Sequence, residues 1–142
     1  MIKLRRAGLK DYIEIELHNY QKSFTKVDVE HYYFRTNMLG EPKTATRDGE
    51  IVGIADIVDM GDNYLAWCLI SAKVKSSLGL AKDIYRVLKR TLELYKDKPI
   101  HAHVLAYDTQ ALNMIIHLGF TQKQFLPEYY NGDDFWLYEK VQ

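Results

Sequence analysis

The chain has 142 residues, enough for one compact domain with its own hydrophobic core and too few for a second. Nineteen Lys and Arg balance nineteen Asp and Glu, so no overall field draws the protein to nucleic acid or to an anionic membrane. The single cysteine, Cys68, cannot close an internal disulfide and suits a reducing compartment; no apolar run approaches the ~18 residues of a membrane span, and Met1-Ile-Lys-Leu-Arg-Arg reads into a strand rather than a signal peptide. Together these features predict a cytoplasmic protein folded as one unit over residues 1–142.

In chain order, Ile2-Lys-Leu-Arg-Arg alternates as a short strand. Gly8 leads into apolar residues Leu9, Tyr12, Ile13, Leu17, Tyr20 and Phe24 at helical spacing, which predicts a first helix with one side turned inward. A second helix is predicted from Asp28, as N-cap, to Met38. Three strands follow, over 43–47, 51–58 and 64–71. Their junctions, Asp48-Gly49 and Gly61-Asp62-Asn63, hold residues that tolerate positive φ, so the strands read as an antiparallel meander.

From Leu80 the period changes to 3.6, through Ile84, Val87, Leu88, Thr91, Leu92 and Tyr95, predicting a long amphipathic helix stopped by Pro99. Its outer face carries Lys82, Arg86, Lys89, Arg90 and Lys96. Ile100 to Leu105 is then a strand, Asp108 caps a helix that ends at Gly119, and strands over 121–126 and 134–141 meet around Asn131-Gly132. The eleven tyrosines, several of them in Tyr32-Tyr33-Phe34 and Tyr129-Tyr130, either pack a small core or sheet edge or line a cleft.

Two residues or groups stand out for chemistry before any family is considered. Asp56 interrupts the apolar run Ile51-Val-Gly-Ile-Ala-Asp-Ile-Val58, as a catalytic carboxylate with a raised pKa or as a solvent-facing or bulged position. His101 and His103 lie two apart on a strand and so face one side, as a base relay, as two of the ligands a zinc site needs, or as a buried or edge imidazole pair. No third ligand follows at a suggestive spacing, so no metal is expected.

The segment Asp108-Thr-Gln-Ala111-Leu-Asn-Met-Ile115-Ile-His-Leu-Gly119-Phe120 joins a strand to a polar helix cap, an alanine three residues on, and a helix ending in Gly-Phe. It resembles the closing motif of the GNAT acyl-CoA N-acyltransferase superfamily. The order strand, two helices, three strands, helix, strand, helix, two strands is similar to the GNAT order over essentially the whole chain. The resemblance implies an α/β fold with a mixed, mainly antiparallel central sheet of about seven strands flanked by four helices.

It also implies a site. The family's Q/R-x-x-G-x-G/A loop cradles the pyrophosphate of acetyl-CoA or another acyl-CoA on backbone amides, as a helix N-terminus favours anions. The matching stretch is Ser76-Ser77-Leu78-Gly79-Leu80-Ala81, in which Gly79 and Ala81 fit, Ser76 replaces the arginine or glutamine, and Leu78 replaces a small or polar residue. The amides of Gly79, Leu80 and Ala81 are expected to face open solvent or an anion. Lys73, Lys75, Lys82 and Arg86 make this end locally basic, which reads equally as an ordinary solvated helix face. By this resemblance the cofactor residues are Ile70, Ser76, Ser77, Leu78, Gly79, Leu80, Ala81, Lys82 and Asp108. The oxyanion donor falls at the amide of Ile70 or Ser71, and Asp56 and Ser71 are the catalytic candidates. Many active members hold at the position of Ile115 a tyrosine that protonates the departing thiolate; here Tyr107, Tyr129 or Tyr130 would have to substitute, or the thiolate leaves to solvent.

The implied function is acyl transfer to an amine, with CoA and an amine acceptor as partners. The alternative is a catalytically degenerate GNAT-fold protein that binds a protein partner or a second copy. The aromatic content, the altered loop and the Gly132-Asp-Asp-Phe-Trp-Leu-Tyr138 strand resemble small GNAT-like proteins of tailed bacteriophages, some of them internal virion or assembly factors. Nucleic-acid binding would need a continuous basic face, against which the neutral charge argues.

Overall fold

A computed structural model describes residues 1–15, 29–130 and 132–141. The elements are β1 (Lys3–Arg6), α1 (Leu9–Glu14), α2 (Val29–Leu39), β2 (Lys43–Arg47), β3 (Glu50–Asp59), β4 (Tyr64–Ile70), a 3-10 turn (Ala72–Ser76), α3 (Leu78–Leu92), β5 (Ile100–Leu105), α4 (Thr109–His117), β6 (Thr121–Tyr130) and β7 (Asp133–Lys140). The strands form one seven-stranded sheet in the order β1-β2-β3-β4-β5-β7-β6. Every pairing is antiparallel except β4 with β5. This is the expected mixed α/β architecture, with seven strands and four helices among the described residues.

Local chemistry explains most boundaries. Asp48 and Gly49 take positive φ of 52° and 81°, which closes the β2–β3 hairpin with the right twist. Asp108 accepts a hydrogen bond from the Ala111 amide at the start of α4, and Gly119, at φ 97°, ends that helix. Three boundaries differ from the sequence reading. Helix α1 stops at Glu14, because Ile15 turns to extended backbone; the predicted continuation through Leu17, Tyr20 and Phe24, and the Asp28 cap, lie outside the described residues. Helix α3 ends at Leu92, well before Pro99, and Tyr95 sits in the turn that follows, its amide bonded to the Leu92 carbonyl. Strand β6 runs on through Pro127 to Tyr130, which an edge strand tolerates because one side of its ladder has no partner to satisfy.

Helices cover both faces of the sheet. On one, Ile54 and Leu69 pack with Tyr12 and Ile15 of the α1 region and with Tyr32 and Tyr33 of α2. On the other, Ile100, Ala102 and Val104 pack beneath Leu92, Leu118 and Phe120, and Val52 beneath Leu80 and Ile84 of α3. The side chains of β5 alternate accordingly, so His101 and His103 face the α1/α2 side.

One ion pair joins three elements. Asp11, 4% exposed, receives both guanidinium nitrogens of Arg5 at 2.6 Å, the Gly8 amide at 2.9 Å and the Thr44 hydroxyl at 2.9 Å. Burial pushes its carboxyl up, but Arg5, Gly8 and Thr44 together hold it below the ordinary 3.8. Asp11→Ala is expected to cost about 2–3 kcal/mol in urea unfolding at pH 7, because Thr44 and the Gly8 amide lose their acceptor. Since the folded pKa lies below the unfolded one, this stability is complete above 3.8 and is lost as pH falls through the folded value. The mutant and the parent should therefore converge in acid; a constant difference down to pH 2 would refute the assignment.

Candidate active site

Strands β4 and β5 pair only at Tyr64 with Ile100 and Leu65 with His101. Beyond that they part. Each is held on its outer side: β4 pairs with β3 from Tyr64 to Ile70, and β5 with β7 from Ile100 to Leu105. The Ser71 amide donates to the Val52 carbonyl at 2.9 Å and fastens the end of β4 to β3, away from β5. A cavity of about 980 Å³ occupies the gap, bounded by Arg35, Trp67 and His103 on the α1/α2 side and by Ala81, Tyr85 and Ile115 on the α3/α4 side.

The amide that the Ser71–Val52 bond commits cannot also face the gap. Successive amides of a strand point to opposite edges, so the Ile70 amide is directed to the β5 side. The Ser71 hydroxyl accepts from the Lys73 amide at 3.2 Å and caps the 3-10 turn. Of the two residues named for the oxyanion, Ile70 has the suitable direction.

The loop expected to hold phosphate differs from the sequence reading at two positions, Leu80 and Ala81. Ser77 caps α3: its hydroxyl accepts from the Leu80 amide at 3.3 Å and its carbonyl from the Ala81 amide at 3.0 Å. The amides without an acceptor among the described residues are those of Leu78 and Gly79. A serine at the N-cap explains this, because it satisfies the third helical amide from within the chain. Nothing lies within 4 Å of where a Cβ on Gly79 would sit, so a ligand can approach that backbone. Lys82 is exposed on the next turn, whereas Lys73 pairs with Glu50 at 3.0 Å and Arg86 with Asp83 at 3.4 Å. The side chains of Lys75 and Ser76 lie outside the described set. Asp108 is buried and caps α4, so it shapes the far lip of the gap rather than meeting phosphate. Two uncommitted amides, open space over Gly79 and the Lys82 ammonium fit the pyrophosphate of an acyl-CoA.

On the α1/α2 side, Asp56 pairs across the strands with Trp67, and His103 lies beyond the gap on the same face. Burial pushes the Asp56 carboxyl up, against the pull of the Ile57 and Glu41 amides. Its Oδ1 accepts from Ile57 at 2.8 Å, while Oδ2 is sealed from solvent without a hydrogen bond, set against Gly40. The carboxylate named from sequence as a catalyst thus lines the cavity beside Trp67, with its unpaired oxygen closed off under the α2–β2 connection.

His103 is better placed. Burial, and secondly the charge of His101, lower its pKa below the ordinary 6.5, so the ring is neutral at pH 7. It stacks on Tyr129 with ring centroids 4.8 Å apart, and its nitrogens have no partner among the described residues. His101 instead bonds Glu139 at 2.9 Å. The pair shares a face, as its spacing predicts, but only His103 borders the gap.

Ile115 lies on the inner side of α4 and lines the cavity. Among the tyrosines that might stand in for it, Tyr107 points away, its hydroxyl on Asp134 at 3.2 Å, and Tyr129 is engaged with His103 and Phe135. Cys68 borders the gap too, but burial, with Asp108 secondarily, pushes its thiol to about 11, so it is not a nucleophile at neutral pH. Arg35 and the Trp67 indole escaped the sequence reading. Their only signal there is membership of an aromatic-rich set.

A Cβ on Gly40 would collide with the Asp56 carboxylate and come within 3.2 Å of Val58 Cγ2. Gly40→Ala is therefore expected to destabilise by about 1–3 kcal/mol, and Asp56→Ala in the same chain should recover much of that loss. Additive effects in this double-mutant cycle would show that the two residues do not touch.

No family model and no curated protein matches the sequence. Solved structures do. The ribosomal-protein-S18-alanine N-acetyltransferase of Escherichia coli superposes with a TM-score of 0.74 at 16% identity, over 99% of this chain and 93% of that one. The IAA acetyltransferase of Bacillus cereus gives 0.70 at 13% identity, over the whole of both chains. A Salmonella typhimurium protein solved with its cofactor acetyl-CoA gives 0.63 at 14% identity, over 99% and 93%. These likenesses lend no support to the bacteriophage resemblance. Parted strands, a capped helix at each lip and full-length superposition lead to one conclusion: the chain has the GNAT N-acetyltransferase fold.

Proposed function

We propose that the protein transfers an acyl group from acetyl-CoA or another acyl-CoA to an amine. The observation that carries this reading is the cavity through the sheet, because it lets a donor held at the start of α3 meet an acceptor entering from the α1/α2 side. Leu78 and Gly79 amides with Lys82 hold the pyrophosphate, and the bound thioester supplies an activated acyl carbon. His103, neutral at pH 7, takes one proton from the acceptor's ammonium form. The Ile70 amide faces the side on which the carbonyl oxygen gains charge. As the N–C bond forms the C–S bond breaks, the second amine proton passes to solvent, and the thiolate is protonated from solvent, which a thiol pKa of about 8.5 permits.

A second reading, a scaffold that binds without turnover, is favoured by Ile115 at the usual acid position and by the Ser77 cap on Leu80. Melting with and without 1 mM CoA, beside thiol release from acetyl-CoA with a panel of amines, separates the two. The acyltransferase is expected to gain several degrees, since ligand at 100 times its Kd adds about 2.7 kcal/mol, and to lose that gain in Ala81→Glu. Stabilisation without turnover would leave the scaffold, and no stabilisation would sink the cofactor site.

His103→Gln is expected to lower kcat by about 100-fold. Because the folded pKa of His103 lies below 6.5 and the base acts unprotonated, the parent rate should be level above 6.5 and fall as pH drops through the folded value. A His103→Gln enzyme with the parent rate and pH profile would exclude it as the base. Ile115→Tyr should leave the rate unchanged or raise it.

A further inference from the structure

We propose that the acceptor is an amine that also carries a carboxylate, on an apolar or aromatic body, with the carboxylate held by Arg35 and the Trp67 indole. This rests on the acyltransferase reading and names the substrate class of that site. A side chamber of about 140 Å³ lies between α2 and the parted strands, and it shares Tyr32, Arg35, Trp67 and His103 with the large cavity. Among the described residues no Asp or Glu lines it. Its remaining walls are Leu39, Leu65 and other groups that carry no negative charge.

Two of the polar residues that line the chamber, Arg35 and Trp67, carry donors without an acceptor among the described residues. Arg35 has no carboxylate partner among the described residues; it lies 5.8 Å from the centre of the Tyr130 ring, a contact that supplies its N–H groups with no oxygen acceptor. Trp67 Nε1–H is buried and makes no hydrogen bond, and an indole can only donate. An unmet buried donor is costly, so a group that satisfies it is favoured. The Thr36 hydroxyl is already committed to Tyr12 at 2.7 Å and to the Tyr32 carbonyl at 3.0 Å.

A carboxylate meets both donors. It is planar and matches the guanidinium fork, and it accepts from the indole when the Trp67 ring turns its buried N–H edge to the chamber. A polyamine does not suit the chamber, because it would bring a second cation to Arg35 with no anion to offset either. The bulk of the acceptor then rests against Tyr32 and Trp67, and its amine reaches His103, the one neutral base at the border of chamber and gap. Asp56 and Glu41 line the large cavity only, so they do not compete for Arg35 inside the chamber.

The test uses the full chain without CoA, in a Trp136→Phe background so that Trp67 alone reports by fluorescence. L-phenylalanine, L-phenylalaninamide, spermidine and O-phosphoethanolamine are titrated at pH 7.5. Phenylalanine is expected to bind at least 10-fold more tightly than its amide or spermidine. Arg35→Gln, a change at an exposed position, should weaken phenylalanine at least 10-fold and leave the amide unaltered. Equal binding of acid and amide, indifference to Arg35→Gln, or no binding at all overturns the proposal; tighter binding of O-phosphoethanolamine overturns the carboxylate in favour of a phosphate ester. The CoA melting shift is independent of this outcome. Acid-selective binding without that shift would remove the acyltransferase reading and keep the anion chamber, and the shift without acid selectivity would do the reverse.

Discussion

Everything about the site follows from the early parting of β4 and β5. A parallel pair that separates after two residues leaves ladder groups on both inner edges to find other partners. The protein meets this by turning each strand end into a helix start. β4 passes through a serine-capped 3-10 turn into α3, and β5 passes almost directly into α4 through Asp108. Two helix N-termini therefore stand on opposite lips of one opening, where partial positive charge gathers. The Asp108 carboxylate answers that charge at α4. At α3 the Ser77 hydroxyl answers only part of it, and the amides of Leu78 and Gly79 remain to be met from outside.

The α1/α2 face is organised by a row of residues rather than a motif. Asp56, Trp67 and His103 lie side by side across the sheet, interrupted by the gap. Asp56 and Trp67 each keep a buried polar atom without a partner, an arrangement that costs stability and that proteins retain chiefly where function requires it. Gly40 belongs to the same arrangement, since only a residue without a side chain leaves room for the Asp56 carboxylate.

Much of the fold was legible because it depends on local rules. Alternation marked β1, the junctions Asp48-Gly49 and Gly61-Asp62-Asn63 marked the meander of β2 to β4, and Asp108 with Gly119 bracketed α4. What failed was tertiary. The end of α3 at Leu92 is invisible to a periodicity that continues to Tyr95, because the chain must turn back to start β5. The site was less legible still. The sequence offered the loop but not which amides Ser77 would consume, and it named Asp56 and Ser71 as catalytic candidates without seeing that His103 stands at the rim of a gap that only the sheet topology creates. Arg35 comes to the same chamber as Trp67, on another element, only through the fold.

The aliphatic Ile115 is easier to accept in this setting. The gap holds the Cys68 thiol protonated and the His103 ring neutral, in both cases chiefly by burial. The same environment acts on an acceptor that enters it: desolvation penalises the ammonium and lowers its pKa toward that of the imidazole beside it. Less driving force is then asked of the base, and the reactive neutral amine forms where the acyl carbon lies. Lys82 and the open amides of Leu78 and Gly79 stand at the start of α3, and Arg35 lines the cavity on the α1/α2 side, where Glu41 and Asp56 line it too. In the proposed reaction the thiolate leaves toward Lys82 at the start of α3, where water can protonate it, and a tyrosine at position 115 is not required for that exit.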